Sequence, residues 1–407
     1  MVATDPAGTR FPTPESLQQP HQRSSWRKAL AYRGLDLLNR LVPKDGSQVV
    51  LHSSVDVEDG VLAVVAAATR RGRTCTVLLE DPRHGRLVTS LSEGPVKALP
   101  KRSPRGLLHF LRAQHVITTS NVYGNRRPPV SQVVVSLWHG EPPTKVTARF
   151  EGHGGLQGTY APVCSTVGRA YRSAEFDIPP LRVPIIGAPR NDRMLQADRQ
   201  QVRRALLGPD AGRTVFLWMP SYRVGHYREG LRVDADTQAG MPFSPSDIQA
   251  LNDWLVSRDA RLVVKVHHRD VNSFGDQHRA IRVLTQGDLE AQGMTLYPAL
   301  GAFDALITDM SSVWLDYLLL DRPMIFAFPD VQAYRDGRGL NLEPYEEWVP
   351  GPFARTVDDM LAAMADVADG KDTMAAERGR ARLRFHQFHD ERSSERLLDG
   401  LGLLTRR

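Results

Sequence analysis

The chain is poor in cysteine: of 407 residues only Cys75 and Cys164 are cysteines, widely separated and in no CxxC pattern. Neither a disulfide framework nor a cysteine zinc site is expected. Long apolar runs are missing as well. The longest, such as Val61 to Ala68, fall far short of the roughly 18–20 residues that span a bilayer, and the N-terminus lacks the apolar core of a signal peptide. A cytoplasmic protein is expected. No GxGxxG follows a strand, since the four glycines between Gly152 and Gly158 have a different spacing. The adjacent His267 and His268, even with Asp309 or Asp316 as a third ligand, lack metal-type spacing, so no metal and no cofactor are expected. Aromatic residues make up 7%, and positive charge is spread rather than clustered with them, which argues against nucleic acid.

What is present is enough apolar content, 41%, for real cores, and a length that suits two or three domains. Lysine and arginine exceed acidic residues by 52 to 46. The excess of +6 suits an anionic partner such as a nucleotide, a phosphorylated polymer or a membrane surface.

One stretch organises the rest. Ala305 to Ile307 predicts a buried strand, Thr308 to Ser312 a polar turn, and Trp314, Leu315, Leu318 and Leu319 repeat at helical spacing. Pro323 stops the helix, and Met324 to Phe328 predicts the next strand. In this βαβ unit Ser311 and Ser312 stand where a helix start offers unpaired N–H groups, and are candidate phosphate ligands. The alternative is that one of them is only an N-cap.

Residues 1–24, rich in Pro, Thr, Gln and Ser, predict disorder. Residues 25–44 predict a basic amphipathic helix, with Trp26, Leu30, Leu37 and Leu41 on one stripe, Leu38 beside it, and Arg27, Lys28, Arg33, Arg40 and Lys44 on its flanks. It either lies on an anionic membrane or packs on the protein. Alternating strand and helix signals then predict an α/β domain over 45–186, a second over 187–380 and a helical tail over 381–407. Val163 to Val167 and Val183 to Ile186 read as buried strands.

Polar residues gather at strand exits, where ligands of open parallel sheets bind. Trp138, His139 and Gly140 follow the strand Val133 to Leu137, and a histidine there is suited to act as base near neutral pH. Arg190 and Asn191 follow Val183 to Ile186 and face a cleft, unless Asn191 or Asp192 only caps the next helix. Arg223, Lys265, His267 and the Ser311/Ser312 turn, with Asp309, each follow a strand of the second domain. One parallel sheet would bring them to one edge, with the cations facing a phosphate.

Taken together, SLWHGEPPTKV (136–146), GAPRNDRM (187–194), WMPSYR (218–223), VKVHHRD (264–270) and LITDMSSVWLDYLLLDRPMIFAFPD with AYRDGRG (333–339) resemble the CDP-glycerol glycerophosphotransferase family of teichoic-acid polymerases and primases and related capsule polymerases. The resemblance covers about residues 47 to 395. It implies a GT-B architecture, with two Rossmann-like domains whose parallel sheets face a central cleft. It implies transfer of glycerol phosphate from CDP-glycerol to a hydroxyl of a membrane-linked acceptor, a lipid-linked glycerol phosphate or glycan, with release of CMP. His139 would be the base, counted as catalytic together with His267. Arg223, Lys265, His267, Ser311, Ser312 and Asp316 would form the donor pocket and stabilise the diphosphate without a metal. The enzyme would lie peripherally on the inner face of the membrane, and homo-oligomerisation is left open.

Glu141 stands where the family commonly has threonine, Pro143 and Thr144 interrupt its usual continuation, Lys265 replaces an arginine, and His268 follows where proline is frequent. These differences admit a related donor such as CDP-ribitol. Two other readings share the features: a GT-B glycosyltransferase using a nucleotide sugar, and a binding protein without catalysis that would be indifferent to His139→Ala.

Overall fold

The computed structural model describes residues 26–120, 122–123, 128–141, 158–221, 226–228, 231–233, 243–265, 278–337 and 339–402. The predicted N-terminal tail, Arg223 and His267 lie outside the described residues. In chain order the first half contains α1 (Trp26–Leu41), β1 (Asp45–His52), α2 (Asp59–Arg70), β2 (Thr74–Leu79), α3 (Gly85–Leu91), β3 (Val96–Pro100), α4 (Pro104–Arg112), β4 (Ala113–Thr118), β5 (Val133–Ser136) and α5 (Thr166–Phe176). Helices α6 (Pro189–Gln196) and α7 (Arg199–Leu207) lead to β6 (Val215–Met219) and a hairpin of β7 (His226–Arg228) and β8 (Leu231–Val233). Then come α8 (Pro245–Ser257), β9 (Arg261–Val264), β10 (Ile281–Val283), α9 (Gln286–Ala291), α10 (Leu296–Leu300), β11 (Ala305–Thr308), α11 (Val313–Tyr317), β12 (Met324–Ala327), α12 (Val331–Gly337), β13 (Phe353–Ala354), α13 (Val357–Ala368), α14 (Ala375–Phe385) and α15 (Ser393–Gly400).

Two fully parallel sheets result, ordered β3-β2-β1-β4-β5 and β10-β9-β6-β11-β12-β13. In each, the order reverses beside the first strand, between β1 and β4 and between β6 and β11, and this reversal opens a crevice beyond the strand ends. The strands are apolar on both faces because helices cover both. On β6, Val215 and Leu217 enter one core while Phe216 and Trp218 enter the other. On β1, Val49 and Leu51 face one layer and Val50 the opposite one. Each such side chain contributes about 1.5–3 kcal/mol.

Among the described residues, the chain beyond β5 adds only single bridges, Val135 to Tyr160 and Val163 to Ile185. Neither Val163 to Val167 nor Val183 to Ile186 is therefore a strand, since each contributes only one bridged residue, Val163 and Ile185. Ser165 caps α5 by accepting from Gly168 N, and the helix begins at Thr166. Asn191 is not a cap either, since α6 starts at Pro189 and Asn191 lies within its first turn.

The segment expected to be a tail divides in two. Ala381 and Phe385 of α14 enter the second-domain core, whereas Leu397 and Leu398 of α15 enter the core of the first. Asp192 secures the return by accepting from Ser393 N and Ser394 N at 2.8 and 2.7 Å. Between the two helices His386 is buried, its Nε2–H donating to Leu315 O at 2.7 Å. Burial lowers its pKa to about 4. Below pH 6.5 the unfolded chain gains a proton that the folded one refuses, so stability falls as pH drops from 6.5 towards 4, by about 3 kcal/mol for this group. Urea unfolding across that range should show the slope, and His386→Gln should flatten it; an unchanged slope would mean that other groups set the acid limb.

Among its described side chains, helix α1 is docked on one side only; those of Trp26 and Leu30 lie outside the described residues. Leu35 and Val42 pack on the first domain, and the buried Asn39 donates to Gln132 Oε1 at 2.9 Å. Tyr32, Leu37, Leu38 and Leu41 of the same helix are exposed, as are Arg33 and Arg40. Among the described residues no helix is long and apolar enough to cross a membrane.

Candidate active site

The loop after β5 and the turn after β11 come from different domains and touch. Trp138 adopts φ 57°, which reverses the chain directly beyond the sheet, and His139 follows, exposed, with its ring 4.8 Å from that of Trp138. Gly140 lies flat on the second domain, and a Cβ there would collide with Ser312 Oγ. A side chain there would force the Ser312 hydroxyl to turn aside, so glycine suits this approach.

On the second sheet the neighbouring strands β9, β6 and β11 bring Lys265, Ser221 and the 309–312 turn to one edge. The buried Asp309 accepts from Ser221 N at 2.8 Å, Ser221 Oγ at 2.6 Å and Ser311 N at 3.1 Å. It therefore organises the turn. Ser312 occupies the N-cap position of α11 without a side-chain capping bond, so its hydroxyl is not used to cap the helix. Lys265 N donates to Trp218 O at 2.8 Å, and burial pulls the Lys265 ammonium down, partly offset by Asp288.

Arg190 and Asp316, both expected at an open cleft, are buried against each other. Nε and Nη2 of Arg190 donate to the two Asp316 oxygens, each at 3.1 Å. Tyr297 OH donates to Asp316 Oδ2 at 2.9 Å. Burial works against the Arg190 charge, but the Asp316 carboxylate holds that guanidinium well above its ordinary value. Asn191 is also buried, and among the described residues neither its Nδ2 nor its Oδ1 has a hydrogen-bond partner. Arg190 borders a small cavity with Glu58, Trp138, Glu141 and Pro162.

Residues that sequence reasoning did not select complete the junction. Asp59 at the start of α2 accepts from Thr295 Oγ1, from Tyr297 N at 3.1 Å and from Arg193 Nε at 3.0 Å, tying the first domain to α10. Glu141 is buried and accepts from Cys164 N at 3.1 Å; burial raises its pKa. Arg172 of α5 donates from Nη2 to Gly140 O at 2.8 Å. Only Glu141 left a sequence signal, as a departure from the resembled motif.

Two Rossmann-like domains that meet across their strand exits, with the C-terminal helix returned to the first, form a GT-B protein. The chain belongs to the CDP-glycerol:poly(glycerophosphate) glycerophosphotransferase family, whose sequence pattern matches residues 37–402. Similar proteins include the teichoic acid ribitol-phosphate polymerase TarL of Staphylococcus aureus, 28% identical over 289 residues, 67% of this chain and 48% of the relative. The teichoic acid ribitol-phosphate primase of Bacillus spizizenii is 30% identical over 185 residues, 45% of this chain and 42% of the relative. The chain thus spans about half the length of these relatives. Among solved structures, the wall teichoic acid polymerase TagF superposes with a TM-score of 0.72 at 16% identity, covering 93% of this chain and 97% of that one. A putative UDP-N-acetylglucosamine 2-epimerase from Listeria monocytogenes superposes with a TM-score of 0.54 at 11% identity, covering 88% and 96%. At these identities the likeness is one of fold.

Proposed function

We propose that the protein transfers an alditol phosphate from a CDP-alditol to a hydroxyl of a membrane-linked acceptor, releasing CMP, in the synthesis of a teichoic-acid-like polymer. The observation that carries this reading is the apposition of Gly140 and Ser312, which sets the histidine loop of one domain against the serine turn of the other. In the reaction a ring nitrogen of His139 takes the proton of the acceptor hydroxyl. The freed oxygen attacks the phosphorus that bears the alditol, and the bond from that phosphorus to the CMP oxygen breaks, its electron pair leaving with CMP. Lys265, the Ser312 N–H and the hydroxyl groups of Ser311 and Ser312 would stabilise charge on the diphosphate, with Arg223 and His267 supplying further cations.

Membership of the family and relatives such as TarL support a CDP-alditol donor. CDP-glycerol is the first choice and CDP-ribitol the second, since a polymerase and a primase named for ribitol phosphate are among the relatives. The exposed Leu37, Leu38 and Leu41 beside Arg33 and Arg40 would place the enzyme peripherally on an anionic lipid surface.

The test is CMP release from CDP-glycerol, CDP-ribitol and a panel of nucleotide sugars, with a lipid-linked glycerol-phosphate primer carried in anionic vesicles. Release from a CDP-alditol is expected, and the enzyme should sediment with the vesicles. Turnover of a nucleotide sugar alone would move the protein to the glycosyltransferases. Failure to sediment would leave α1 as a packing helix.

A further inference from the structure

The His139 loop is gripped on both sides by one residue. Before His139, the Trp138 ring stands edge-on to Phe176 at 4.8 Å and faces the Arg172 guanidinium at 5.8 Å. A left-handed backbone is costly for so bulky a residue, so the packing around Trp138 must hold it. After His139, the Gly140 carbonyl accepts from Arg172 Nη2 at 2.8 Å. Arg172 is 1% exposed, and among the described residues its Nε and Nη1 have no hydrogen-bond partner. Burial works against its charge and pulls the guanidinium down, which the nearby carboxylates of Glu141 and Glu175 offset only in part.

A buried guanidinium with two unused donors is an expensive way to pack a helix, and an apolar side chain of similar volume would do that more cheaply. What an apolar side chain could not do is hold the Gly140 carbonyl. The position of Arg172 on α5 adds a second reason. Val167 and Tyr171 of the same helix pack on the second-domain core, and Tyr171 OH donates to Asn341 O at 2.6 Å. The helix that rests on the donor-side domain therefore also holds the loop that carries the base.

We propose that Arg172 is a positioning residue for the transfer reaction: by stacking on Trp138 and donating to the Gly140 carbonyl, it fixes where the His139 ring stands relative to the Ser311/Ser312 turn. The inference rests on the functional reading above, in which His139 is the base. A misplacement of about 1 Å in such a group costs about 10²-fold in rate.

The experiment compares wild type, Arg172→Met, Arg172→Lys and Arg172→Met/Glu141→Gln for CMP release, each with kcat, donor KM, pH profile and thermal midpoint. Arg172→Met should lower kcat about 10²-fold at unchanged donor KM. Arg172→Lys should recover little of it, because an ammonium keeps the charge but lacks the planar fork. The double variant removes both buried charges, so it should regain the thermal midpoint while kcat stays low; it carries the test if Arg172→Met does not fold. Recovery of kcat together with stability in the double variant, or a loss confined to donor KM, would overturn the positioning role. Wild type that releases no CMP from any CDP-alditol overturns the functional reading and this inference with it, whereas wild-type turnover with unimpaired variants overturns the role of Arg172 alone.

Discussion

Alanine at His139 is expected to lower kcat for CMP release by about 10²–10⁴-fold, the range in which a positioned general base contributes, and to leave donor affinity unchanged. The separation of the two effects follows from the geometry. His139 is carried by the first domain, whereas Lys265, Ser311 and Ser312 lie at the sheet edge of the second. The substitution also removes no buried packing, since His139 is exposed, so stability should not change. Donor binding measured by calorimetry beside single-turnover CMP release tests both halves. Turnover equal to wild type would remove His139 as base, and lost donor affinity would assign it to the pocket instead.

The parts of this arrangement that were legible in the sequence are those set by short-range pattern. The run from Ala305 to Phe328 carries its own strand, turn, helix and strand, and the structure contains them as β11, α11 and β12. That Lys265 and the serine turn share an edge follows from strand exits once the sheet is parallel, and β9, β6 and β11 are indeed neighbours. Positions that depend on long-range partners were not legible. Arg172 reads as one more cation on an amphipathic helix, and nothing local reveals that its partner is a carbonyl 32 residues away. Leu37 and Leu41 fit the stripe expected of α1, yet the packed side uses Leu35, Asn39 and Val42, because Gln132 offers Asn39 a buried amide partner. Val163 to Val167 is apolar enough for a strand, but Ser165 caps a helix and ends the extended run.

The ion pair of Arg190 with Asp316 supports the second large prediction. Removing one member leaves the other charge buried, which costs about 3–5 kcal/mol from a total stability of about 5–15 kcal/mol. Asp316→Ala and Arg190→Met should each lower the urea midpoint strongly. The double variant Arg190→Met/Asp316→Leu should recover most of the loss, because neither member of the pair is left without the other; a single variant as stable as wild type would show that the pair is not buried in solution. The cycle also tests whether Asp316 serves the proposed donor directly or through the turn beside it. Asp316 lies on α11, directly after the Ser311/Ser312 turn, while Arg190 lies on α6 beside the first-domain helix α2. If the pair acts by holding that turn in place, donor affinity should fall in the single variants and return with stability in the double one. If Asp316 instead meets the donor itself, affinity should stay low in the double variant although the fold is restored. Its burial and its three hydrogen bonds, two from Arg190 and one from Tyr297, favour the first outcome, since a carboxylate so occupied has little left to offer a ligand.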